Sequence, residues 1–147
     1  MELPENKIPC FHFLPLGLAG AAGALQLANP IHAAEGSYYS APRGEASIEV
    51  PCVDLKSLME RNQHRQVDLL KLDIEGAEYG VIDQVISCQI PVRQILVEFH
   101  DGLLPGVRHR QTWRAMAQLL RRGYKLLEEV GKNYTFIEGR AFRQQRG

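Results

Sequence analysis

LLKLDIEGAEYGVID, residues 69–83, is the stretch on which the fold reading turns. Asp68 to Ile74 has the apolar density and the bounds of a buried strand, Gly76 turns the chain, and Ala77 to Ser87 follows as a helix with Val81, Ile82 and Val85 on one face. Side chains alternate across an extended strand, so Lys71, Asp73 and Glu75 are predicted to share one face and Leu70, Leu72 and Ile74 the other. Asp73 and Glu75 fall at the carboxyl end of that strand, and it is beyond the carboxyl ends of parallel strands that open α/β sheets bind their ligands. Two carboxylates there can orient a hydroxyl, accept its proton or hold a hard cation. A plainer account stands beside this one: Glu75 and Glu78 favour a helix start through the macrodipole, and Asp73 closes the turn.

Reading downstream, Gln94 to Phe99 is a second central strand, and it places Glu98 and His100 on one face at another carboxyl end. Histidine is the side chain whose ordinary titration lies nearest neutrality. Arg110 to Arg122 reads as a helix with Trp113, Met116, Ala117 and Leu120 in one apolar stripe, stopped by Gly123. Tyr124 to Val130 and Tyr134 to Glu138 form a hairpin around Gly131-Lys132-Asn133.

Upstream, Asp54 is the expected N-cap of a short helix, Asp54 to Asn62, preceded by a strand over Ser47 to Val53. Asn29 to Gly44 is polar and rich in Gly, Pro and Ser, hence a loop. Ala24 to Ala28 is a return strand, Gly17, Gly20 and Gly23 punctuate a turn, and Phe11 to Leu16 reads as a short buried strand. Alternating strands and helices imply an α/β fold with a parallel sheet, and the last hairpin implies an antiparallel edge. One domain of 147 residues is expected, structured over about 11–138, with 139–147 as a basic tail carrying Arg140, Arg143 and Arg146.

Seventeen basic and seventeen acidic residues balance, so no strong field points to nucleic acid or an anionic membrane. Cys10, Cys52 and Cys88 match no zinc spacing and are too few for a disulfide scaffold. The most apolar segment, Phe11 to Ala28, is broken by Pro15, three glycines, His12 and Gln26, so no membrane span is assigned; compartment and oligomeric state stay open.

LLKLDIEGAEYGVID followed by ILVEFH resembles the FkbM-type methyltransferase family and its methyltransferase-like relatives, across roughly Phe11 to Ile137. The resemblance implies a Lys-x-Asp-x-Glu-Gly-x-Glu motif at the fourth strand, carried by Asp73, Glu75 and Glu78, and a second motif at the fifth strand, carried by Glu98 and His100. It implies the C-terminal part of a class I, Rossmann-like fold and methyl transfer from S-adenosylmethionine, typically to an oxygen of a small molecule or glycan. Asp73, Glu75, Glu98 and His100 are the candidate catalytic residues, with Asp73 near the methyl group and substrate and His100 or Glu98 as proton acceptor; Glu78 is given the lesser task of orienting the helix. No ligand-spacing argument supports a metal, and none is assigned.

The sequence departs from the family in one respect. Neither the glycine-rich turn after a first strand nor the acid that ends a second strand has a home in it. Gly17-x-x-Gly20-x-x-Gly23 fits the third-strand hairpin better than a cofactor loop. The expectation is a truncated domain that lacks the N-terminal cofactor-binding loop. The alternatives are a non-catalytic binding or pairing module on the same sheet and, less favoured, a metal-dependent hydrolase using Asp73, Glu98 and His100.

Overall fold

The computed structural model describes residues 11–28, 39–40, 47–102 and 108–140. The elements run β1 (Gly17–Ala19), β2 (Gly23–Ala28), β3 (Tyr39–Ser40), β4 (Ser47–Asp54), α1 (Leu55–Arg61), β5 (Val67–Leu72), α2 (Glu78–Ser87), β6 (Val92–Glu98), α3 (His109–Arg122), β7 (Tyr124–Val130) and β8 (Asn133–Glu138). The class is mixed α/β, with two four-stranded sheets and three helices.

The single parallel sheet expected from the alternation does not form among these residues. One sheet has the order β1-β4-β2-β3 and the other β5-β6-β8-β7. Parallel pairing is confined to β1 with β4 and β5 with β6. The remaining pairs are antiparallel, and the short turn at Gly131 and Lys132 joins β7 directly to β8. The terminal hairpin forms as expected, with β8 against β6 and β7 outermost.

Four further expectations are corrected. Residues 11–16 form no strand, and Phe11, Phe13, Leu14 and Leu16 are exposed. Pro15 has no N–H to give a ladder, and the Leu16 N–H is taken by the Leu14 carbonyl at 2.8 Å, so pairing starts at Gly17. Gly17 and Gly23 consequently open β1 and β2, leaving only Gly20 in the turn. The expected loop over Asn29 to Gly44 contains β3, which pairs with the end of β2; the rest of it lies outside the described residues. The tail expected from residue 139 falls, past Arg140, outside them as well.

The fourth correction concerns α3. It buries Thr112, Ala115 and Leu119, with Met116 partly covered, while Trp113 is 70% exposed and Leu120 49%. The buried set has the same i, i+3, i+4, i+7 spacing as the predicted stripe, rotated by one residue. Thr112 decides the phase: its Oγ1 lies 3.0 Å from the Tyr79 hydroxyl on α2, a buried partner that hydrophobicity alone does not reveal. The αL cap at Gly123, with φ +100°, ends the helix as read.

The core lies between α2, α1 and α3 and the inner face of β5, β6 and β8. Val81, Ile82 and Val85 of α2 meet Leu70, Leu72, Ile95, Val97 and Phe136. Asp54 caps α1, accepting the Ser57 N–H at 2.9 Å and its hydroxyl at 2.7 Å, and the Gln84 amide at 2.8 Å ties that cap to α2. The turn after β1 packs closely on α2: a Cβ added at Gly20 would stand 2.7 Å from the Gly80 backbone. No described helix is long and apolar enough to cross a membrane.

Candidate functional site

β5 and β6 run parallel, with Leu72 opposite Val97, so their carboxyl ends open at the same edge. β5 stops at Leu72, two residues short of the predicted end, and Asp73 is the first residue beyond it. Glu75 and Gly76 then take left-handed conformations, φ +50° and +100°. A non-glycine residue in that region is held at a cost of about 1–2 kcal/mol. The turn carries Glu75 back toward the end of β6. Asp73 and Glu75 therefore meet through a tight turn, and strand alternation plays no part in bringing them together.

His100, two residues past β6, sits at the centre. Its Nε2 lies 3.3 Å from Glu75 Oε2 and 3.9 Å from Asp73 Oδ1. Its Nδ1 lies 3.2 Å from Glu78 Oε1, which also accepts the His100 backbone N–H at 3.2 Å. The second Glu78 oxygen accepts the Gly76 N–H at 2.8 Å. Glu78 is the first residue of α2 and is fully buried, so the positive end of the helix and three donors compensate its charge. The hydrogen bond that His100 donates to Glu78 is the main cause that holds the His100 pKa above its ordinary value; burial opposes it, and the charges of Glu78, Glu75 and Glu98 add to it.

Side-chain exposure grades outward, 8% at His100, 24% at Glu75 and 41% at Asp73. Lys71 Nζ takes the outer oxygen of Asp73 at 3.4 Å, leaving Oδ1 turned toward the imidazole. Beneath the site, Phe99 stacks on Tyr79 with ring centres 5.4 Å apart and meets Tyr134 at 5.3 Å. Burial pushes the Tyr79 phenol up to about 12, so it stays protonated beside Thr112.

Beside this cluster, Asp101 is buried and ion-paired to Lys132 at 2.6 Å and to His109. Burial alone would raise its pKa, but hydrogen bonds from Lys132 and His109 outweigh that and lower it. Lys132 also donates to the Asp101 carbonyl at 3.1 Å and its own carbonyl accepts the Phe99 N–H at 2.9 Å, so the hairpin turn and the start of α3 pin the end of β6.

Of the four candidate residues, Asp73, Glu75 and His100 converge. Glu98 contributes its charge; among the described residues its carboxylate makes no hydrogen bond or ion pair to the cluster. Sequence reasoning gave Glu78 too small a part and gave Asp101, Lys132 and His109 none. The acid in the first turn of α2 was legible, but its partner on another strand was not.

Of the three glycines weighed as a cofactor loop, Gly17 and Gly20 serve packing, and Gly23 takes a positive φ of +152° at the start of β2. A Cβ at Gly17 would stand 2.7 Å from Cys52 Sγ, and Gly20 meets Gly80 as described. These residues do not fit a cradle for S-adenosylmethionine. In comparison with known sequences, the chain matches the methyltransferase FkbM domain over residues 7–126. No curated protein and no solved structure matches it.

Proposed function

Because the chain belongs to the methyltransferase FkbM family, we propose that it is the acceptor-side part of a class I, S-adenosylmethionine-dependent methyltransferase domain that methylates an oxygen of a small molecule or glycan. The order β5-β6-β8-β7, a parallel pair closed by an antiparallel hairpin, is how the sheet of such a fold ends, and it supports this reading. The observation that carries it is the convergence of Asp73 and Glu75 on His100 at the shared carboxyl edge of the parallel pair.

S-adenosylmethionine supplies the electrophilic methyl group, and none of the described residues is assigned to grip it. The residues here act on the acceptor. Asp73, the most open of the three, accepts a hydrogen bond from the acceptor hydroxyl and takes its proton. Glu75 shares that task from the inner side. His100, clamped through Nδ1 by Glu78, holds the two carboxylates in one place.

Titration of this chain with S-adenosylmethionine is expected to show no micromolar binding; micromolar affinity overturns the assignment of the cofactor grip. In a protein that contains the cofactor-binding half, Asp73→Asn should abolish incorporation of labelled methyl and leave circular dichroism unchanged. Full turnover in that variant removes Asp73 from the chemistry. A second reading, a non-catalytic pairing module, is favoured by one feature: β5 lies at the edge of its sheet with Leu69 exposed, and an unpaired strand edge templates association. A chain that is dimeric by light scattering and stays so without any methyl donor would support it.

A further inference from the structure

We propose that Asp73, Glu75 and His100 bind one divalent first-row transition ion, with Glu78 as the positioning residue behind the imidazole. The first ground is geometry. One ligand atom from each of the three residues lies within 4.8 Å of the others. Nε2 is 3.3 Å from the Glu75 oxygen and 3.9 Å from the Asp73 oxygen. Donors about 2.1 Å from a common ion, at angles between octahedral and tetrahedral, stand roughly 3.0–3.4 Å apart. Rotation of the more exposed Asp73 carboxylate closes the remaining gap.

The second ground is the setting of the imidazole. The imidazole is more than nine-tenths buried, and its Nδ1 is engaged by Glu78. Its Nε2 is directed between the two acids, whose carboxylate oxygens are its ion-pairing neighbours. A histidine that ligates a metal almost always donates its other ring N–H to a carboxylate or carbonyl, which fixes the tautomer and directs the free lone pair at the ion. Glu78 does this here from a fully buried position. Without a cation or a proton between them, three acceptors would face one another at close range, an arrangement that costs electrostatic energy.

The donor set narrows the ion. One imidazole nitrogen with two carboxylate oxygens suits manganese, iron, cobalt or zinc; magnesium and calcium prefer oxygen alone. Three protein ligands graded from a buried histidine to a half-open aspartate leave coordination positions on the solvent side, where water or an acceptor oxygen can enter. The site stands on these side chains whether or not the chain takes part in methyl transfer, and its test involves no methyl donor.

The full chain, freed of metal by chelation, is titrated with Mn2+ alone while electron paramagnetic resonance follows loss of the free-ion signal. Zn2+ alone is titrated in parallel by calorimetry. One ion per chain is expected. Glu78→Gln should weaken uptake about 10- to 100-fold, the usual effect of removing the partner of a ligating histidine. Asp73→Asn and Glu75→Gln should weaken it at least as much, and Asp68→Asn, at the far end of β5, should leave it unchanged. Asp73 is exposed enough for its variant to keep the parent circular dichroism, so a loss of uptake there is not a loss of fold. No saturable uptake of either ion by the parent, or affinities in Asp73→Asn and Glu75→Gln equal to the parent's, overturns the proposal.

Discussion

Glu78→Gln tests the heart of the site, because it changes one atom and almost no volume. In the parent, Oε1 accepts from the His100 backbone and imidazole, both at 3.2 Å, and Oε2 accepts from the Gly76 N–H at 2.8 Å. An amide keeps only one acceptor. If its oxygen faces His100, its NH2 meets the Gly76 N–H; if it flips, the NH2 meets two His100 donors. Either way a buried donor is left facing a donor, at about 1–3 kcal/mol for each group stranded, and the charge that assists the remaining bonds is gone. The expected loss is about 2 kcal/mol or more, a large share of the roughly 5–15 kcal/mol that holds a domain together. Urea denaturation of metal-free protein measures it.

The same variant removes the main cause of the raised His100 pKa. A group whose folded pKa is raised contributes stability that is fully present below its unfolded value, 6.5 here, and lost as pH rises through the folded value. The parent should therefore gain stability on acidification toward 6.5, and Glu78→Gln should lack most of that gain, with the His100 ring signals titrating lower by NMR. Stability within about 0.5 kcal/mol of the parent, the scatter of ordinary surface changes, together with an unmoved His100 titration would refute the clamp.

Other perturbations read other parts of the fold. Asp54→Ala should cost about 1 kcal/mol in thermal or urea unfolding, the usual value of an N-cap. Asp54 is held down from 3.8 to about 2, chiefly by the Ser57 hydroxyl, so its contribution is present above 3.8 and should fade as pH falls toward 2 in an acid-unfolding series. Gly20→Ala puts a methyl 2.7 Å from the Gly80 backbone and should destabilise by about 1–3 kcal/mol. Gly80→Ala meets Gly20 at a looser 3.2 Å and gains helix propensity of about 1 kcal/mol, so it should be markedly less harmful in the same assay. Leu119→Ala should cost about 2–5 kcal/mol, and Trp113→Gln about 0.5 kcal/mol or less; the reverse order by urea titration would restore the predicted stripe.

Local chemistry was legible in the chain. Asp54 announced a cap, Gly123 a helix stop and Gly131 a hairpin, because each of these is settled by a few neighbouring residues and their backbone angles. The strand ending near Asp73 and the strand leading to His100 were also legible, since apolar density marks a buried strand whatever lies beside it. Phase and pairing were decided elsewhere. Thr112 faces inward because Tyr79 waits there, a contact between residues 33 positions apart that no local apolar count contains. Residues 11–16 are apolar enough for a core strand but find no ladder. Glu78 became the partner of His100, and Asp101 that of Lys132, only when β6 settled between β5 and β8. Side-chain type and spacing set what each residue is able to do; which partner completes it depends on long-range strand pairing and helix packing, and those are properties of the whole folded chain.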